Sequence, residues 1–336
     1  MLKAYLIKRA LMTIPTLFIL LTIIFLIMRV LPGNPVAAIV GTKAPPEVIQ
    51  NVIKRLGLDK PYHIQYINYL SNLLRGDLGR SMIWGRRPVI DEIMDHFPAT
   101  LELSISAFIV SVLIGIITGT EASRRFRSKL DQVFRFYGIV TYSLFIPWLG
   151  IMLQLIFSVY LKLLPVGGRI DPFMEPQRIT GLYLLDSILT LNIPSFFNAL
   201  SHLILPSITL GVYISGVFTR TVRSNMLEVL RRDFITAARA RGIPENIVIY
   251  RHALKNAFIP ILTMMGLQFA LLLAGAVLTE TTFSWPGMGT FLLERIMYRD
   301  YTTVQGTVVF IALLIVSISL LVDVMYAYLD PRIRFR

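Results

Sequence analysis

Ala10-Leu11-Met12-Thr13-Ile14-Pro15-Thr16-Leu17-Phe18-Ile19-Leu20-Leu21-Thr22-Ile23-Ile24-Phe25-Leu26-Ile27-Met28 carries no ionisable side chain; Lys3, Lys8 and Arg9 precede it and Arg29 closes it. A helix needs about 20 mostly apolar residues to cross the hydrocarbon core of a bilayer. The apolar core of a cleaved secretory signal is shorter, about 7–15 residues. The run is therefore read as a retained transmembrane helix whose basic flank stays in the cytoplasm. Every later apolar run must then cross back in turn.

Composition agrees with that reading. Of 336 residues, 55% are hydrophobic and only 16% are charged, with a mean hydropathy of +0.65. Soluble domains carry about a quarter charged residues, because they must cover a surface in water. A net charge of +13 would suggest nucleic-acid binding in a soluble chain. Here the basic residues sit beside apolar runs, as they do in cytoplasmic loops of membrane proteins, so no nucleic acid is expected. Cysteine is absent, which excludes a disulfide framework and a thiolate metal site.

Outward from the first run, Leu31 to Pro98 is long, mixed in charge and interrupted by turn signals such as Leu31-Pro32-Gly33-Asn34-Pro35. It is expected to form an extracytoplasmic subdomain, since long loops translocate largely regardless of charge. Further spans are expected near Ala99–Gly119, Tyr137–Tyr160, His202–Thr219, Ala257–Thr279 and Val304–Tyr326, with Pro147 and Pro206 bending the third and fourth spans. On the second span Ala107, Ser111, Gly115 and Gly119 recur at every fourth position, a small-residue face that lets another helix come close.

Arg124, Arg125, Arg127 and Lys129 form one basic loop, and Arg220, Arg223, Arg231, Arg232, Arg239, Arg241, Arg251 and Lys255 form a second. The tail Asp330-Pro331-Arg332-Ile333-Arg334-Phe335-Arg336 is also basic, whereas Leu161–Ser201 is not, and a short outer loop carries Trp285-Pro286-Gly287. Alternation places all the short basic loops and both termini in the cytoplasm. The expected organisation is a tail and first helix (1–30), an extracytoplasmic segment (31–98) and a transmembrane core (99–336). The fold class is an all-α integral membrane protein of about six spans.

No G-x-x-x-x-G-K-[ST] phosphate loop occurs; Gly76-Asp77-Leu78-Gly79-Arg80-Ser81 has neither its spacing nor its lysine. The chain is not expected to bind ATP itself. His63, His96, His202 and His252 are scattered without metal-ligand spacing, and no nucleophile elbow or zincin helix is present. Acids within spans are functional candidates by default. Glu102 and Asp323, however, lie near span ends, where water or a loop arginine could satisfy them. Gln154 and Gln268 lie deeper, and either line a polar translocation path or bridge helices.

One cytoplasmic stretch stands apart: Asp233-Phe234-Ile235-Thr236-Ala237-Ala238-Arg239-Ala240-Arg241-Gly242-Ile243-Pro244-Glu245. Its Ala- and Arg-rich first part favours a helix. Gly242 can take the positive φ that ends one, and Pro244 suits the first turn of the next. The expectation is a helix–bend–helix knob, small at Ala237, Ala238 and Ala240 so that a protein surface can approach.

This stretch resembles the EAA signature of binding-protein-dependent ABC importer permeases: Glu-Ala-Ala, three residues, then Gly. Thr236, Ala237, Ala238 and Gly242 occupy those positions, with threonine in place of glutamate and without the Ile-x-Leu-Pro ending. Both departures resemble the dipeptide/oligopeptide branch, as do the later His252-Ala253-Leu254-Lys255-Asn256-Ala257, Leu56-Gly57-Leu58-Asp59-Lys60-Pro61 and Pro98-Ala99-Thr100-Leu101-Glu102-Leu103. Leu278-Thr279-Glu280-Thr281, Phe283-Ser284-Trp285-Pro286-Gly287 and the Asp330–Arg334 tail extend the likeness over the whole chain, which looks most like a B-type permease subunit of dipeptide importers.

The resemblance implies a type I ABC importer permease in a prokaryotic inner membrane. It implies that Thr236, Ala237, Ala238, Arg239, Gly242, Pro244 and Glu245 belong to a coupling helix seated on an ATPase. It further implies a homologous second permease, two cytoplasmic ATPases that use ATP and Mg, and an extracytoplasmic peptide-binding protein. No cofactor would be bound by this chain directly, and it would not be an enzyme. Dipeptides or short peptides are the expected cargo, with nickel, glutathione or another small solute as alternatives. An ion-gradient-driven transporter, which would use buried charges near mid-membrane, and a membrane-embedded enzyme remain rivals from other classes.

Overall fold

The computed structural model describes residues 2–30, 45–47, 50, 53–54, 57–83, 86–274 and 276–329, with side chains left undescribed at 2–10, 29–30 and 326–329. The Leu31–Pro35 turn, Leu56 and the Asp330–Arg336 tail lie outside the described residues. What is described is helical apart from turns, irregular segments and an isolated bridge between Arg80 and Pro88. Five helices are long and apolar enough to cross a membrane, and a bent pair makes a sixth if it is counted as one broken span.

Helix α1 (Leu2–Val30) contains the apolar run. Its outer face leaves Leu11, Ile14, Phe18 and Ile19 exposed. Ile24 and Phe25 are buried, and Ile24 clusters with Val309 and Ala312 of the last helix. Helix α2 (Tyr62–Leu74) packs back onto α1 through aromatic edges. The Phe25 and Tyr66 ring centroids are 5.1 Å apart and the Tyr66 hydroxyl meets Thr22 Oγ1 at 2.5 Å. Such aromatic pairs add stability beyond their buried area.

Helix α3 (Val89–Arg124) begins ten residues before the expected second span, so the division at 98/99 falls inside it. Ala107, Ser111, Gly115 and Gly119 are all buried. The helix they admit is α7 (Ile193–Leu230), which runs through Pro206 without a break and is far longer than the expected His202–Thr219 span. A Cβ at Gly115 would collide with Phe218, and one at Gly119 with Val222 and Thr219. Thr118 and Thr219 hydroxyls join across this seam at 2.7 Å. The α3–α7 pair is the centre of the molecule; α7 is mostly buried along its apolar stretch, whereas α1 is mostly exposed.

The third span departs most from expectation. Helix α4 (Lys129–Ser143) starts on the Ser128 side chain, which accepts the Asp131 amide. It stops at Leu144 and Phe145, both extended, and α5 (Ile146–Leu153) leaves at 101°. Pro147 lies in the first turn of α5, where its missing N–H costs nothing; it starts a second helix and does not bend a continuous one. A π-helical segment, Gln154–Tyr160, completes that arm.

The segment between α5 and α7 contains α6 (Tyr183–Leu189). After α7 come α8 (Asp233–Ala240), the short α9 (Glu245–Ile247), a π-helical turn (Val248–Ala253) and α10 (Leu254–Leu273). The expected fifth span ended at Thr279, but α10 stops at Leu273. Residues expected at the end of the fifth span and in a short outer loop instead form two half-buried helices, α11 (Val277–Thr282) and α12 (Met288–Met297), before α13 (Tyr301–Leu329). Trp285 between them is 1% exposed, and its indole N–H donates to the Ala99 carbonyl of α3 at 2.9 Å.

Candidate functional site

The stretch 233–245 folds as the sequence pattern suggests. Helix α8 ends in a Schellman arrangement: the Gly242 amide donates to the Arg239 carbonyl at 2.9 Å and the Ile243 amide to the Ala238 carbonyl at 3.3 Å. Gly242 has φ +74, a conformation glycine takes without steric penalty. Pro244 sits one residue earlier than expected, as the N-cap of α9; its carbonyl accepts the Ile247 amide at 2.9 Å. The Arg239 guanidinium spans the bend to the Glu245 carboxylate, with Nη2 to Oε1 at 2.6 Å and Nε to Oε2 at 3.1 Å. This exposed pair raises the Arg239 pKa further above its ordinary value, through the hydrogen bond to Glu245.

One face of the knob is glued down and the other is free. Ile235 and Ala238 are buried with Val222, Met226 and Val229 of α7 and with Val248, Ile249, Ala253 and Ala257 at the foot of α10. Ala238 therefore packs inward. Phe234, Thr236, Ala237, Arg239, Ala240 and Arg241 face outward. The Tyr250 hydroxyl donates to Glu121 at 2.8 Å, and Glu121 also meets Arg124 and Arg125. The two basic segments of the core thus lie at one end of the helix bundle.

The opposite end is held by acids of α3, with Glu92 and Glu102 buried and Asp95 part-exposed, each met by arginine. Glu102 accepts Arg169 Nη2 at 2.7 Å and Nε at 3.0 Å, and its other oxygen accepts the Leu184 amide at 2.8 Å. Both side chains are about as buried as the core, and the guanidinium lies 3.9 Å from the Tyr183 ring centroid. The loop arginine expected for Glu102 is Arg169. Glu92 pairs with Arg295 at 3.0 Å, and Asp95 with Arg178 at 2.8 Å and Arg87 at 3.0 Å. The segment that carries Arg169 is shaped by Asp186, whose carboxylate accepts the amides of Ile179, Thr180 and Gly181 and the Thr180 hydroxyl. Burial pushes the Asp186 carboxyl up, but those donors outweigh it and hold the group below the usual carboxylate range.

Glu280 fastens the α11–α12 hairpin. It is fully buried; Oε1 accepts the Thr100 hydroxyl at 2.6 Å and Oε2 accepts the Gly289 and Thr290 amides at 2.7 and 2.9 Å. A carboxylate on these first-turn amides of α12 complements the helix dipole. Thr100 in turn accepts the Met288 amide at 2.7 Å.

The structure does not bring Gln154 and Gln268 together. The Gln154 amide donates to the carbonyls of Val166 and Thr282, at 2.7 and 3.1 Å, and so bridges three segments. Gln268 lies on α10, half-buried, with its amide 3.9 Å from Met264 Sδ. Asp323 lines a cleft of about 470 Å³ between α10 and α13, with Thr263, Gly266 and Ser319. Among the described residues, no three His, Cys, Asp or Glu converge as metal ligands. The arginine partners of Glu92, Asp95 and Glu102 were not legible from the chain, since only Arg87 lies near its acid in sequence.

A family described as "Binding-protein-dependent transport system inner membrane component" matches residues 111–335. Its companion, "Binding-prot-dependent transport system membrane comp, N-term", matches residues 1–104. The chain is 42% identical to the dipeptide transport system permease protein DppB of Alkalihalophilus pseudofirmus over 332 residues, 99% of each chain. It is 40% identical to the dipeptide transport system permease protein DppB of Escherichia coli K12 and 38% identical to a glutathione transport system permease protein GsiC of Escherichia coli, again over 99% of each.

Proposed function

The chain belongs to the binding-protein-dependent transport system inner membrane components, and we propose that it is the permease subunit of an ATP-driven importer of dipeptides and short peptides. The observation that carries this reading is identity of about two residues in five, over nearly the full length, with permeases named for dipeptide transport. A rival from another class, the ion-gradient-driven transporter, loses its footing with that membership.

In this reading the exposed face of α8, with Thr236, Ala237 and Arg239, docks on one of two partner ATPases. Gly242, Pro244 and the Arg239–Glu245 pair hold the bend in shape, and Ala238 anchors it to the helix core. Two features support transmission: the knob shares one buried cluster with α7 and α10, and the π-helical turn that follows it is tied to α3 through Tyr250. ATP and Mg act in the ATPases, and this chain supplies a lever and a gate. A homologous permease completes the path, and an outer binding protein delivers the peptide to the end where Arg169 clamps Glu102. The basic end, with both termini, faces the cytoplasm. Gln268 is the candidate path residue, and Gln154 bridges helices.

The GsiC relative favours glutathione as a second cargo. Proteoliposomes holding the full complex test the energy source: uptake should require internal ATP and external binding protein. Uptake driven by an ion gradient without ATP would overturn the proposal.

A further inference from the structure

Helices α4 and α7 touch closely at one level and part below it. A Cβ at Gly138 would lie 3.3 Å from the Gly216 carbonyl, and a Cβ at Gly216 would run into Thr141. Towards the basic end the two helices enclose a cavity of about 310 Å³, lined by Phe134, Arg135, Gly138, Thr219, Arg220 and Arg223 among others. Arg223 is spoken for: its Nε and Nη2 reach Asp131 at 2.6 and 2.9 Å. Arg135 and Arg220 form no ion pair among the described residues, although Arg220 lies over the Tyr142 ring at 5.8 Å from its centroid.

The cavity thus has two guanidinium groups outside any ion pair among the described residues, Arg135 acting on Asp131 only through space, and a hydroxyl at Ser224. Its mouth meets a band of exposed apolar side chains on α4, with Val133 60%, Phe136 68% and Ile139 65% exposed. Guanidinium forks match phosphate geometry, and basic pockets between spans on the cytoplasmic side suit anionic lipid headgroups. We propose that this cavity binds the phosphate of an anionic phospholipid of the cytoplasmic leaflet, with acyl chains lying along Phe136 and Ile139. A free phosphate would satisfy the arginines but not the apolar band, which is why the occupant is a lipid. The leaflet rests on the orientation proposed above; the binding does not.

The test uses the full chain with its co-purified subunits, in nanodiscs and by native mass spectrometry, with phosphatidylglycerol and phosphatidylcholine as probes. Phosphatidylglycerol should be retained preferentially, and Arg135→Gln with Arg220→Gln should cut its retention about tenfold, the loss of roughly 1.4 kcal/mol of binding. Arg231→Gln with Arg251→Gln removes the same charge from exposed sites outside the cavity and should leave retention unchanged. Millimolar glycerol 3-phosphate should not displace the lipid; displacement would assign the site to soluble phosphates. Equal retention of both lipids, equal loss in both double variants, or cross-linking of position 135 to an acidic residue of the partner permease would each overturn the proposal. Because nanodisc binding is blind to leaflet, these outcomes are independent of the topology, which thiol labelling reads separately.

Discussion

A Cβ at Gly242 would meet nothing within 4 Å, so a substitution there tests backbone conformation and not packing. An L-residue held at positive φ costs about 1–2 kcal/mol, least for asparagine. Gly242→Val should weaken co-purification of the ATPases or their stimulation by the binding protein, and Gly242→Asn should retain most of both; equal behaviour of the two would remove the bend from the mechanism. Arg169→Met leaves the Glu102 carboxylate buried without its ion partner. Removing one member of such a pair costs about 3–5 kcal/mol, read as a large fall in thermal stability in detergent. For Asp186 the folded carboxyl titrates below its unfolded value. Its stabilisation is therefore complete above the unfolded value of about 3.9 and disappears as pH falls through the lower folded one. Protection of the 179–184 amides from hydrogen exchange, relative to their intrinsic rates, should hold at neutral pH and be lost only at pH below about 4; Asp186→Asn should lose it at neutral pH.

At the scale of elements, apolar length and basic flanks were enough to find the spans, because hydropathy acts within one continuous segment. The knob was legible for the same reason: Gly242, Pro244 and the Ala-rich turn are local signals. The break between α4 and α5 and the burial of Trp285 were not legible, because both depend on residues far away. Trp285 reaches the carbonyl of Ala99, and Glu280 reaches Thr100; nothing near either residue in sequence announces that partner. Read alone, Phe283-Ser284-Trp285-Pro286-Gly287 is a turn, and only α3 makes it a core. Thr100→Val tests this hairpin directly. It would strand one Glu280 oxygen and the Met288 amide, at about 1–3 kcal/mol for each buried group. The variant should unfold at lower temperature and expose the 277–297 region to protease, whereas Thr281→Val, on an exposed residue of α11, should do neither.

For the whole molecule, the basic ends of α3 and α7 and the knob lie together, and the arginine-clamped acids lie at the other end, so one orientation settles both. Leu74, 90% exposed at the end of α2, should as Leu74→Cys react with an impermeant thiol reagent in intact cells. Arg125→Cys, at the basic end, should react only after the membrane is opened; the reverse pattern would invert the topology. Transport itself is tested most directly by uptake of a labelled dipeptide in cells with and without this gene, the other subunits being present. The account predicts that uptake depends on the gene, is competed by other dipeptides and falls when Gly242→Val replaces the native chain. Unchanged dipeptide uptake in the deletion, with loss of glutathione or nickel uptake instead, would contradict it.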